Sequence, residues 1–231
     1  MNMKTTIYMA VGHLLRKWGE DGASYPVVLL GRKEYGMDVQ ELVVWAALCW
    51  QLRTMDEIRA KYIEYADKLP PERRTLEDCV ARLKTRGLIA CGEGDTGAEA
   101  LYDLLSELYV IPVSEKLTLR FLAFWKLVLG RGVAVGKAAE IFRGDRRDEQ
   151  ETRIMALVRQ AVLSTAELIK CVEVGVSDIS TDMKLLEALY VDPDVTCDNL
   201  PCLMRSAKSR ENVTVAVANL YLRKQVILDR V

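Results

Sequence analysis

Apolar positions along this 231-residue chain recur first at helical spacing, then as a continuous run, then at helical spacing again. In residues 5–19, Ile7, Val11, Leu14, Leu15 and Trp18 fall on one side of a helical wheel, which predicts a helix. "SYPVVLLGRKEYGMD" (24–38) changes character: Pro26 opens a β-branched run and Gly31-Arg32 suits a two-residue turn, so a hairpin is expected. Three helix starts follow, each announced by a cap oxygen with an acid three residues later: Asp38 with Glu41, Thr54 with Glu57, Thr75 with Asp78. The helix over 38–52 is mostly apolar and should be buried. The one over 54–67 carries Ile58, Tyr62, Ile63 and Tyr65 and ends at Leu69-Pro70-Pro71. The one over 75–86 has a clean stripe of Leu76, Cys79, Val80 and Leu83, with Gly87 as its stop and "LIAC" as a strand behind it.

Beyond a Gly-rich loop at 92–97, "AEALYDLLSELYVIPV" is helical again through Leu101, Leu104, Leu105 and Leu108, and Pro112 makes a domain boundary. Residues 115–129 are apolar nearly all round, a buried helix. A long helix is expected over 148–174, a loop at Asp192-Pro193-Asp194, and a last helix over 211–228.

Charge and candidate chemistry narrow the function. The 32 basic and 33 acidic side chains nearly cancel, so any nucleic-acid surface must be local. The longest apolar run, "LVVWAALCW" (42–50), has nine residues against the ~20 needed to span a bilayer. With no signal-peptide core near the N-terminus, a cytoplasmic protein with no membrane partner is expected. Six scattered cysteines (49, 79, 91, 171, 197, 202) and a single histidine, His13, favour structural thiols over zinc. "LGRGVAVGKAAEIF" (129–142) lacks phosphate-loop spacing, and "DPDVTCDN" (192–199) has Cys197 where a calcium loop needs glycine. No nucleophile, base or carboxylate pair stands out, so no enzyme and no cofactor is expected.

The order hairpin, three helices, strand, loop carries a resemblance. "VVLLGRKEYGMDVQELVVWAAL" is similar to the strand-turn-strand-helix entry of winged-helix transcription regulators. "TLEDCVARLKTRGLIACGEGDTG" resembles the recognition helix, strand and wing of MarR-like and related bacterial regulators. The resemblance covers about residues 25–112. It implies that the third helix enters the major groove and that the wing touches the flanking backbone. Independently, burying the stripe turns Arg74, Asp78, Ala81, Arg82 and Thr85 outward. Residues 73–86 hold Arg73, Arg74, Arg82, Lys84 and Arg86 against Glu77 and Asp78, a local net of +3. Arg73, Arg74, Thr75, Asp78, Ala81, Arg82, Lys84, Thr85 and Arg86 are therefore the candidate contacts to double-stranded DNA. The wing sequence departs from the basic pattern, with Glu93, Asp95 and Glu99 and no base.

On the long helix, Ile154, Val158, Ala161, Thr165, Leu168 and Val172 follow alternating steps of four and three. That seam suits either a core helix or a homodimer interface presenting two recognition helices to two half-sites. The expected fold is mainly α: a winged helix-turn-helix domain with small hairpin and wing strands and an N-terminal helix (1–112), followed by an all-helical dimerisation and regulatory domain (113–231). The expected function is a homodimeric, sequence-specific DNA-binding transcription regulator responding to an effector or protein partner. The alternative is a winged-helix docking module for proteins.

Overall fold

Residues 5–19 do not form the helix that their apolar spacing suggests. In the computed structural model, which describes residues 4–20, 22, 24–65, 74–113 and 147–230, they form two strands, β1 (Thr5–Ala10) and β2 (His13–Trp18). The break is Gly12, with φ 81°. A Cβ there would stand 2.5 Å from the Leu29 carbonyl oxygen, so only glycine makes this bend. β1 leaves to pair antiparallel with β5 (Ile89–Gly94), Thr5 opposite Gly94 and Ala10 opposite Ile89. β2 pairs with β3 (Ser24–Leu30), which turns at Gly31-Arg32 into β4 (Lys33–Gly36). The expected hairpin is thus one half of a three-stranded meander. The helix-like spacing spans both strands: Ile7 lies on β1, Val11 at the bend, and Leu14, Leu15 and Trp18 on β2, where exposed and half-buried positions alternate and Leu14 and Trp18 face outward.

Three helices follow at the places their caps mark: α1 (Val39–Leu48), α2 (Met55–Glu64) and α3 (Leu76–Thr85). Asp38 with Glu41 and Thr54 with Glu57 form complete capping boxes; Thr75 caps α3 through its hydroxyl. α1 is not wholly buried: Val44, Trp45 and Leu48 enter the core, whereas Val39 is 57% exposed.

The wing is absent. β5 finds its partner in β1 and runs through Asp95 and the cap Thr96 into α4 (Gly97–Leu105), with no return strand. Its glycines serve close packing: a Cβ on Gly92 would lie 2.2 Å from the Ala100 carbonyl oxygen and 2.3 Å from the Leu104 nitrogen, both on α4. The glycines that read as a loop are the surface on which a helix crosses a strand. The winged-helix expectation is corrected on this point.

The C-terminal half is not all-helical. β6 (Tyr109–Pro112) pairs with β7 (Leu163–Ser164) on one edge and β8 (Val226–Asp229) on the other. A boundary at 112 falls at the end of the central strand of that sheet. The expected long helix is two, α5 (Glu149–Val158) and α6 (Thr165–Val174). Ser164 breaks it: its backbone is extended, and it forms a capping box with Glu167. Then come α7 (Asp182–Leu189), α8 (Leu200–Met204) and α9 (Arg210–Leu222). Past the end of α9 the chain turns at Lys224, φ 62°, and the expected last turn of helix is strand β8.

One apolar cluster runs from Met9 on β1 to Leu228 on β8, so both halves share a core. Among the described residues no helix is long and apolar enough to cross a membrane. The expected helix at 115–129, the glycine-punctuated stretch at 129–142 and the Leu69-Pro70-Pro71 stop lie outside the described residues.

Candidate nucleic-acid interface

α3 is amphipathic, and its inward face is the one the stripe specifies: Leu76, Cys79, Val80 and Leu83 are buried. Outward stand Arg74, Thr75, Asp78, Ala81, Arg82, Lys84 and Thr85, all exposed, with Arg86 half-buried at the C-cap. Arg73 lies outside the described residues.

Exposure is not the same as freedom, because α1 presents carboxylates to the arginines. Arg74 pairs with Asp38, and its backbone N–H donates to Gln40 Oε1 at 3.0 Å. Glu41 is only 2% exposed and divides its two oxygens: Arg82 Nε donates to Oε1 at 2.8 Å, and Arg86 Nη2 stands 2.8 Å from Oε2. Arg86 Nη1 also donates to the Gly36 carbonyl at 2.9 Å, tying the end of α3 to the end of β4. Two further expected contacts are occupied locally. The Thr75 hydroxyl donates to Asp78 Oδ2 at 2.7 Å, and the Thr85 hydroxyl donates to the Ala81 carbonyl at 2.9 Å.

Burial would raise the Glu41 carboxyl pKa. Hydrogen bonds from Arg82, from the Asp38 backbone and from Arg86 outweigh burial and hold it below its ordinary value. Asp38 follows the same pattern with Arg74 and the Glu41 amide. A carboxylate depressed in the folded state stabilises the fold above its unfolded pKa, about 4, and loses that contribution as pH falls through the folded value. Urea midpoints should therefore hold steady from neutrality to about pH 5 and fall progressively below about pH 4. In Glu41→Gln, which can still cap α1, part of that acid decline should vanish; an unchanged decline would mean Glu41 carries none of it.

The less obvious basic residues come from far away in the chain. The Gly31 N–H at the β3–β4 turn donates to Asp229 Oδ1 at 2.8 Å, which clips that turn to the end of β8. Gly87, just after α3, faces the same place: a Cβ there would sit 3.3 Å from Leu30 Cδ2 and 3.7 Å from Arg230 Cδ. Arg32 and Lys33 of the turn, Arg230 after β8 and Arg86 of α3 consequently lie about one edge, with Arg82 one turn back on the same face of α3. Arg32, Lys33 and Arg230 make no ion pair with any described residue, whereas Lys84 turns toward β5, where its hydrogen bond with Cys91 and the nearby Glu93 hold its ammonium above the ordinary pKa. A basic Gly-Arg-Lys turn was a signal in the sequence. The adjacency of Arg230, about two hundred residues away, had none.

The heptad-like seam is spent inside the chain. Ile154, Val158, Thr165 and Leu168 are buried, and Ala161 and Val172 pack against the same core. They are divided between α5, α6 and the turn joining them, so no continuous seam is left for a second copy. Arg143 and Arg146 lie outside the described residues, while Arg147 is half-buried. The six cysteines are unpaired, and no described group of His, Cys, Asp and Glu side chains could hold a metal ion. Comparison with known protein families, with curated proteins and with solved structures gives no match to this chain.

Proposed function

We propose that this protein binds double-stranded DNA through the C-terminal half of α3 and the basic edge beside it, and regulates transcription from that contact. The observation that supports this most is the gathering of Arg82, Arg86, Arg32, Lys33 and Arg230 at one edge of a chain whose net charge is −1. Arg32, Lys33 and Arg230, which form no ion pair with a described residue, neutralise phosphates and release their counterions. Arg82, its Nε held by Glu41, keeps its outer guanidinium nitrogens for a guanine edge, and Ala81 meets a thymine methyl. Since Asp78 and Thr85 are bonded locally, base readout is narrow, and most of the affinity is electrostatic.

The test is binding to labelled random duplex over a salt series, followed by selection and sequencing. Affinity should fall with salt with a log–log slope of about −3, as for about three phosphate contacts. Lys33→Ala and Arg230→Ala should each relax that slope by about 1, and Arg82→Ala should erase an enriched motif. No binding at low salt would sink the proposal. It would leave protein docking, which the groove of about 510 Å³ along α1 and α2 favours, its apolar floor made of Leu42, Val43, Ala46 and Ala47.

A further inference from the structure

A second cavity, of about 240 Å³, opens where the β1–β2 bend meets α9 and β8. Its walls are aromatic and apolar. Trp45 comes from α1, Trp50 from the turn after it, Tyr221 from α9 and Ile227 from β8. The Trp50 and Tyr221 rings stand 5.2 Å apart at 37°, forming a corner. Cys49 completes the floor as a neutral thiol, its pKa pushed up by burial. No Lys, Arg, Asp or Glu lines the space, so its occupant is uncharged.

Trp50 has φ 60°, a left-handed backbone that is an outlier for so bulky a side chain. It is held by its neighbour: the Trp50 N–H donates to the Tyr221 hydroxyl at 2.9 Å. That hydroxyl shares its own proton between the Ala10 and Leu48 carbonyls, at 3.2 and 3.3 Å. Such over-determined strain is characteristic of ligand clamps. Tyr221 is thereby saturated, and the Trp45 indole N–H already faces the Val11 carbonyl at 3.4 Å. What stays open among the lining side chains is the ring of His13, at the rim, and the Trp50 indole N–H; neither bonds to a described residue.

We infer that this cavity binds a small, neutral, planar aromatic molecule of indole size, its ring against Trp45, Trp50 and Tyr221 and one polar atom at His13. The size fits: an apolar cavity of about 150 Å³ holds benzene, so one half as large again takes a bicyclic ring. The inference does not depend on DNA binding. A ligand here would touch α1 and α9 at once, the two halves of the shared core.

The test uses the full chain, with indole as the probe and benzothiophene as an isostere that lacks the N–H. Calorimetry should show one site with a dissociation constant of about 0.1 mM for indole. Benzothiophene should bind about tenfold more weakly. Indole should move the side-chain N–H resonances of Trp45 and Trp50 and spare that of Trp18, which is 71% exposed elsewhere on β2. Cys49→Phe, which fills the floor, should reduce indole affinity at least tenfold. His13→Phe, at a half-exposed strand position that tolerates the change, should abolish the difference between the two probes. Absence of binding to the native chain, shifts confined to Trp18, or a probe difference that survives in His13→Phe would each overturn the inference. If Cys49→Phe does not fold, the native titration and His13→Phe decide the matter.

Discussion

Gly92→Ala is expected to destabilise the protein by at least about 4 kcal/mol, which in a domain of this size lowers the melting temperature by roughly 10 °C or more. The new methyl carbon would lie 2.2 Å from the Ala100 carbonyl oxygen and 2.3 Å from the Leu104 nitrogen. Both atoms belong to the backbone of α4, so no side-chain rotation relieves the clash. Relief requires α4 to move off β5. That would open the cluster around Leu104 and Leu105, which are 3% and 0% exposed. Overpacking that a core can accommodate costs about 1–3 kcal/mol; here neither partner can yield. Gly97→Ala is the control, because a Cβ there meets nothing within 4 Å. It should leave stability unchanged or raise it by about 0.5 kcal/mol through reduced unfolded-chain entropy. Equal melting temperatures for the two variants would mean that β5 and α4 are not in backbone contact.

Leu168→Ala should cost about 3 kcal/mol, equally at low and high protein concentration. Leu168 is fully buried on α6 and belongs to the chain's own core, so truncation loses transfer free energy and leaves a cavity. Had the seam from Ile154 to Val172 joined two copies, the same truncation would weaken association instead, and its cost would depend on concentration. Urea unfolding at two concentrations, together with sedimentation, separates the outcomes. A concentration-dependent loss would restore the dimer seam.

These two positions also lie where short-range pattern stops specifying structure. Short-range signals were legible: Asp38 with Glu41 and Thr54 with Glu57 opened helices as their boxes require, and the stripe of Leu76, Cys79, Val80 and Leu83 chose the buried face of α3. Ser164 with Glu167 is an equally plain box, but it lies inside a seam whose spacing reads as one long helix. What failed was pairing at long range. β1 looks helical until its partner β5 is known, about eighty residues away, and Gly92 looks like loop until α4 is laid across it. In the candidate site the outward face of α3 was legible, but the carboxylates of Asp38 and Glu41 that restrain Arg74, Arg82 and Arg86 were not. Both acids form the capping box of α1, and nothing local shows that a cap on one helix also neutralises another.

The joint between the ends of the chain has a consequence for the order of assembly. The Gly12 N–H donates to the Leu228 carbonyl, the Tyr221 hydroxyl bonds to Ala10 and Leu48, and Asp229 receives the Gly31 N–H. A chain emerging from the ribosome makes its first fifty residues long before these partners exist. Strand β1 can pair with β5 once residue 94 is made, but the Gly12 and Gly31 N–H groups and the Ala10 and Leu48 carbonyls lack these partners until residues 221–229 follow. Closing a loop of about two hundred residues then comes late and slowly. The nascent N-terminal half is therefore the form of this protein most in need of a chaperone.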